Sequence, residues 1–302
     1  MNPKISIVLV NWNGIRLIDP CLNAIFQQTY RDFEVVFVDN ASTDGSEEHV
    51  REHFKAVRVV QTGSNLGFAE GMNRGIEASR GEWIFSLGND TVIDENCLVE
   101  LLKAVEGKPR VGMVCATVLL IDGSVDTYGL KIYPSGMPVD IKERGVQPLC
   151  PCGAGGLYRR KMLDEVKVNG EYYDKDFFMF CEDLDLGLRC RLKGWKCVSA
   201  YEAIVHHHHG ATIKQSESRI VYGIRNRLWV VQKDFPRSVI NANILLILGF
   251  QLAVVVKYFF KPRLWWQGFS QAWAKRHLMY GKRLKIQRGR AITKKDFRKL
   301  LG

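Results

Sequence analysis

Residues 83–91 read Trp-Ile-Phe-Ser-Leu-Gly-Asn-Asp-Thr, an apolar run that stops at a glycine and then delivers an amide, a carboxylate and a hydroxyl in succession. A single carboxylate beside hard oxygen donors suits a divalent cation shared with substrate phosphates, because Mg2+ is usually held by one or two protein carboxylates. Asp90 is therefore a candidate metal ligand, although the same residues would also make an ordinary polar turn. Asn11 and Asn13 follow a first apolar run, and Asp39, Asn40 and Asp44 follow a second. Amides and carboxylates so placed can take the imide edge of a base and ribose hydroxyls, as acids do in dinucleotide folds. Farther along, Glu182 and Asp183 come directly after the aromatic stretch 177–180. Leu184, Leu188, Leu192 and Trp195 then fall on one helical stripe, which puts the acidic pair at a helix N-terminus. The dipole there keeps a carboxylate ionised and suited to act as a general base. Four histidines, residues 206–209, could complete an ion site with a neutral imidazole or form a solvated turn. Arg225 and Arg227 could grip a phosphate bidentately or simply solvate a helix face.

The apolar runs 5–10, 33–38, 57–60 and 83–87 alternate with helical periodicity, and Glu47 and Glu48 open the second helix where its dipole favours acids. Such alternation predicts a mostly parallel sheet with right-handed crossovers, whose strands end where ligands bind. A further strand is expected over 111–120. The Gly- and Pro-rich stretch 122–156 reads as a small hairpin layer or a flap, and Gly153-Ala-Gly-Gly156 suggests close approach of a ligand. No Gly-x-Gly-x-x-Gly follows the first strand and no Gly-Lys-Ser is present, which argues against nicotinamide binding and ATP hydrolysis. A nucleophile elbow is also missing, which disfavours acyl transfer.

The net charge of +11 is localised: residues 257–302 carry fourteen Lys or Arg and one acid, Asp296. The rest of the chain is close to neutral, which disfavours a nucleic-acid binder. Before this tail comes a nineteen-residue uncharged run, Ser238 to Val256, near the minimum for spanning a bilayer. Aromatic residues and cations around 257–266 resemble interfacial anchors, so a segment in or on a membrane is expected rather than a buried helix. Positive charge against anionic lipid then places the chain in the cytoplasm, at the inner face of the cell membrane. Eight scattered cysteines and no secretory signal at the start fit reduced, mostly buried thiols.

Taken together, the Asp39-Asn-Ala-Ser-Thr-Asp44-Gly segment, Asn65-Leu-Gly67-Phe-Ala, Gly71-Met-Asn73-Arg-Gly75, Asn89-Asp90-Thr91 and Glu182-Asp183-Leu-Asp185 with Arg189 and Trp195 resemble the family 2 glycosyltransferases. Within them the chain is similar to the rhamnosyltransferase-like branch that serves surface polysaccharide assembly. The resemblance implies a GT-A fold over residues 1–235, an α/β architecture with a central sheet flanked by helices, followed by a hydrophobic helix and basic tail over 236–302. It also implies inverting transfer from a nucleotide-diphosphate sugar to a glycan or lipid-linked acceptor, with Mg2+ or Mn2+ on the diphosphate. Asp39 would read the base, Asp90 would hold the metal, His207 would contact metal or phosphate, and Asp183 would be the base, with Glu182 beside it. Asn65, Gly67, Asn73 and Asn89 join Asn11, Asn13, Asn40 and Asp44 on the donor side, and Arg225 is expected on phosphate. Gly88 departs from the family's Asp-x-Asp. It leaves open a catalytically weak nucleotide-sugar-binding scaffold.

Overall fold

The computed structural model describes residues 2–208 and 217–302. Its first half follows the expected alternation: β1 (Ile5–Asn11), α1 (Ile15–Phe26), β2 (Phe33–Asp39), α2 (Ser46–His53), β3 (Val57–Gln61), α3 (Gly67–Ala78) and β4 (Trp83–Gly88). These strands are nearly continuous apolar runs because both sheet faces are covered. Ile5, Ile7 and Leu9 of β1 pack with Ile18, Leu22 and Ile25 of α1. Val8, pointing the other way, packs with Met72 and Ile76 of α3. That second helix lies so close to the sheet that a Cβ at Gly75 would run into Val8.

After β4 the chain forms β5 (Thr91–Ile93), α4 (Cys97–Lys103), β6 (Val111–Leu120), β7 (Val125–Thr127), β8 (Leu130–Ile132), β9 (Pro138–Asp140), β10 (Gly155–Arg159), α5 (Arg160–Glu165), α6 (Glu182–Leu192) and β11 (Lys196–His207). The main sheet has the order β3-β2-β1-β4-β10-β6-β11-β5, with β7 beside β6, and β8 and β9 form a separate hairpin layer. Strands β1 to β4, β6 and β11 run in one direction, while β10, β5 and β7 run against them. The sheet is thus mostly parallel, as expected. β5 was not foreseen, since three residues are too few to show a period. All eight cysteines are free thiols; Cys152 and Cys181 are half-buried and the rest are buried.

The C-terminal part comprises α7 (Glu217–Asp234), α8 (Arg237–Ala242), α9 (Ile244–Lys257), α10 (Pro262–Ala274), α11 (Arg276–Arg288) and α12 (Lys294–Arg298). The uncharged run is divided between two helices at Asn243, whose side chain turns back to donate to the Val239 carbonyl at 2.9 Å. Among the described residues no helix is long and apolar enough to cross a membrane. Nor does the basic segment behave as a loose tail. Ala272, Met279, Ile286 and Phe297 belong to the same buried core as Val8 and Met72, and the Gly302 amide donates to the Ile132 carbonyl at 3.0 Å. The boundary expected at 235 falls at the end of α7, yet the core runs across it.

Candidate functional site

Parallel pairing sets the site, because the register of β1, β2 and β4 puts Asn11 opposite Asp39 and Val10 opposite Gly88 at one edge of the sheet. A cavity of about 850 Å3 opens at this edge. Asn11, Asn40, Asn65, Gly67, Asn89 and Asp90 line one part of it, and Gly153, Ala154, Glu182 and Asp183 line another. Phe68, Phe178, Met179, Phe180 and Tyr222 form an apolar wall between them. Of the expected residues, Asn11, Asn40, Asn65, Gly67, Asn89, Asp90, Glu182, Asp183 and His207 line this one cavity.

Several of the expected donor-side residues are engaged by their own loops. Asp39 is fully buried, and its oxygens accept from Asn11 Nδ2 at 3.1 Å, Ser42 Oγ at 2.6 Å, Ser42 N at 2.8 Å and Gln61 Nε2 at 3.1 Å. It holds the 40–42 turn so that Asn40 faces the cavity. Asp44 clasps the starts of two helices, accepting from Ile15 N at 2.9 Å and Ser46 N at 3.1 Å. Asn13, at φ 52°, accepts from Thr43 N at 2.7 Å, and Asn73 latches α3 to the Tyr173 backbone at 2.8 and 2.9 Å. None of these four side chains lines the cavity. Polar residues after a strand are as useful for closing a turn as for holding a ligand, and sequence alone does not say which way they point.

Asp183 receives Leu184 N on one oxygen at 2.7 Å and Gly153 N on the other at 3.1 Å. Burial pushes its carboxyl up to about 6, against the pull of those two N–H groups. Glu182 is pushed up farther, first by burial and then by the charge on Asp183, and its Oε2 is buried with no hydrogen-bond partner. Both carboxyls are thus raised by burial, and Asp183, at about 6, is mostly ionised at neutral pH, the condition a general base requires. The backbone leading into the pair is strained. Phe178, Phe180 and Cys181 have φ of 66°, 68° and 64°, each costing on the order of 1–3 kcal/mol unless its surroundings enforce it.

Asp90 and His207 meet where β4 and β11 end, with Asp90 Oδ2 at 3.4 Å from His207 Nε2 and Asp126 Oδ2 at 3.7 Å from Nδ1. Burial alone would lower the imidazole, but Asp126 and Asp90 raise it to about 9. Among the described residues no group of three His, Cys, Asp or Glu is arranged to hold a metal by itself. The arrangement fits an ion carried in on substrate phosphates, for which one protein carboxylate suffices. At Gly88 a Cβ would stand 2.7 Å from Asp90 Oδ1, so the glycine leaves room around that oxygen. His206 pairs with Asp94 at 2.9 Å, and His209 lies outside the described residues.

Arg225 requires correction. Its guanidinium does not line the cavity; it donates to Phe177 O at 2.8 Å, Gln271 Oε1 at 3.1 Å and Asn226 Oδ1 at 2.8 Å, and stacks on Tyr222 and Trp229. The cation from α7 that does line the cavity is Arg219, two turns earlier and exposed. Asp126, Asp140 and Arg219 were missed as cavity residues. The weak periodicity of 122–156 gave no register by which to find the two acids.

The family profile Glycosyl transferase family 2 matches residues 6–167. The N-acetylglucosaminyl-diphospho-decaprenol L-rhamnosyltransferase of Mycobacterium tuberculosis is 27% identical over 248 residues, 69% of this chain and 77% of that one. Glycosyltransferase GlyG of Streptococcus pneumoniae is 26% identical over 198 residues, covering 59% and 64% of the two chains. Among solved structures, a mannosyltransferase of Pyrobaculum calidifontis in complex with GDP-Man and Mn2+ superposes with a TM-score of 0.60 at 14% identity, over 96% of this chain and 86% of that one. TarS of S. aureus gives 0.61 at 16% identity, over 98% and 91%. These likenesses show the fold, which is GT-A.

Proposed function

The chain belongs to glycosyl transferase family 2, and from that premise we propose that it moves a sugar, with inversion, from a nucleotide-diphosphate donor to a hydroxyl of a glycan or lipid-linked acceptor. The observation that carries this reading is one cavity lined both by Asn40, Asn65, Asn89 and Asp90 and by the ionisable Asp183. Asp183 takes the acceptor hydroxyl's proton as its oxygen forms a bond to the anomeric carbon. On the opposite side the bond from that carbon to the diphosphate breaks, and the nucleoside diphosphate departs with the bonding pair. Glu182, beside it in the cavity, can hydrogen-bond the acceptor. Asp90, with His207 beside it, would hold Mg2+ or Mn2+, which supplies charge neutralisation at the departing diphosphate. The rhamnosyltransferase relative is named for a lipid-diphosphate acceptor, which supports the lipid-linked class.

A thermal-shift screen of nucleotide-diphosphate sugars with and without Mn2+ tests the donor reading, because a ligand at 100 times its Kd stabilises the native state by about 2.7 kcal/mol. In Asp90→Ala the Mn2+-dependent part of that affinity should vanish, a loss of about 10–100-fold, matching the ~1.5–3 kcal/mol of a charged contact. Unchanged affinity in Mn2+ would remove Asp90 from the metal site. Tight donor binding by the wild type without turnover on any acceptor would favour the scaffold reading.

The membrane partner belongs to the same proposal, at the inner face of the cell membrane. Only Ile247 and Val254 of α9 are buried, while Leu245, Leu248, Leu252 and Val256 and the adjoining Phe259 and Phe260 are more than half exposed. So large an apolar patch marks an interaction surface, and Lys257, Lys261 and Arg263 border it with no acid between 235 and 295. An anionic lipid surface complements both features. The double variant Leu248→Asp, Leu252→Asp should bind phosphatidylglycerol vesicles at least tenfold more weakly while keeping its donor affinity; vesicle binding at the wild-type level would exclude α9 as the contact.

A further inference from the structure

We infer that Asn226, a residue that does not line the cavity, is a positioning residue for transfer: it fixes the strained segment that carries the Glu182 and Asp183 pair. Asn226 is fully buried in α7. Its Nδ2 faces three carbonyls at once, Phe177 O at 3.0 Å, Met179 O at 2.8 Å and Phe180 O at 2.7 Å. Its Oδ1 accepts from Arg225 Nε at 2.8 Å, and that arginine also holds Phe177 O. One amide thus gathers the carbonyls of the residues that bracket and include the positive-φ positions. Phe178 sits at φ 66°, ψ −64°, the centre of a tight turn closed by Met179 N donating to Phe177 O at 2.8 Å, a rare conformation for a residue with a side chain.

The segment needs such a clamp because of what it joins. The Phe178 carbonyl accepts from Ala69 N at 3.1 Å in the first turn of α3, and a Cβ at Gly67 would collide with that carbonyl. Cys181 then turns through φ 64° directly into α6. The 178–181 path therefore fixes both the donor-side start of α3 and the base-side start of α6. Phe177 O keeps Met179 N and Arg225 as donors, but the Met179 and Phe180 carbonyls point inward with no helix or strand to pair with, and water is excluded from Asn226. With the amide gone, the unpaired carbonyls favour the relaxed negative-φ conformation, and the start of α6 moves with it.

This inference rests on Asp183 being the base, and the experiment separates the two. Asn226→Ala, Asn226→Ser and Asp183→Asn are compared with the wild type for transfer kcat, for donor Kd by calorimetry in Mn2+, and for thermal unfolding. The expected result is that Asn226→Ala remains folded and loses about 100-fold in kcat, while donor Kd changes less than threefold. Asn226→Ser, whose hydroxyl can donate to one of the carbonyls, should recover about tenfold of that loss. Wild-type kcat in Asn226→Ala beside an inactive Asp183→Asn would overturn the positioning role alone; wild-type kcat in Asp183→Asn would overturn the base assignment on which it rests. Parallel loss of kcat and donor affinity, or failure of both Asn226 variants to fold, would make the residue merely structural and sink the inference.

Discussion

Asp183→Asn should transfer sugar about 10²–10⁴-fold more slowly than the wild type, the usual cost of losing a general base, while its donor affinity stays within a few-fold. Asparagine has nearly the same size, and its one oxygen can keep one of the two backbone N–H bonds that Asp183 accepts from Leu184 and Gly153. It cannot accept a proton at neutral pH. The same substitution should make the protein more stable above neutrality. Burial raises the Asp183 carboxyl to about 6 in the folded state, above its ordinary value near 3.9. The folded chain therefore binds this proton more tightly than the unfolded one, and the associated stability is present below about pH 4 and lost as pH rises through about 6. At pH 8 the wild type carries a buried charge that the variant lacks, so its Tm should lie below that of Asp183→Asn, and the gap should close below pH 4. Wild-type kcat would show that Asp183 only holds the Leu184 and Gly153 backbone N–H groups. Transfer by the wild type should also fail on the acid side of about pH 6, where the base is protonated.

Lys233→Met should cost about 3–5 kcal/mol of stability, because it takes a shared cation from two buried carboxylates, leaving Asp174 to Lys282 and Asp185 to Arg189. The ammonium is fully buried and bonds Asp174 Oδ2 at 2.5 Å and also Asp185 Oδ1. Arg189 shares Asp185 at 2.9 Å, and Lys282 of α11 reaches Asp174 at 2.5 Å and Asp176 at 2.6 Å. The network ties α6, the 174–176 turn, α7 and α11 into one body. Its cations also explain where part of the basic C-terminal charge goes: Lys275 and Lys282 clamp the base-bearing layer, and Arg283 caps the carbonyls of Gln232 and Phe235 at 2.6 and 2.7 Å. Removal of 257–302 should accordingly unfold the catalytic body and not merely release it from lipid. Equilibrium denaturant curves check both claims, and an unchanged midpoint for Lys233→Met would show that the network does not stabilise the fold.

What could be read from the sequence follows from signal length. The four apolar runs before residue 90 are long enough to declare buried strands, and parallel pairing then puts Asn11, Asp39 and Gly88 at one edge without further information. The pair at 182 and 183 was legible because Leu184, Leu188 and Leu192 mark a helical face and so locate the helix start. Orientation of side chains was not legible: Asp39 and Asp44 stand at the expected edge, yet they turn inward to bind their own loops. Arg225 misled for the same reason, since a cation on α7 can reach a phosphate or a carbonyl, and only packing against Tyr222 and Trp229 decides. The basic C-terminal segment looked like a tail set against lipid because its partners, Asp174 and Asp176, lie some hundred residues earlier in the chain.

The most direct measurement is the anomeric configuration of the product, read by proton NMR from a reaction with a donor that the thermal-shift screen identifies. One base at Asp183 and a single displacement predict a product anomer opposite to that of the donor, from the wild type alone, with Asp183→Asn giving the same anomer at a far lower rate. A product that keeps the donor's configuration would require two displacements or attack from the leaving-group face, and would contradict the account.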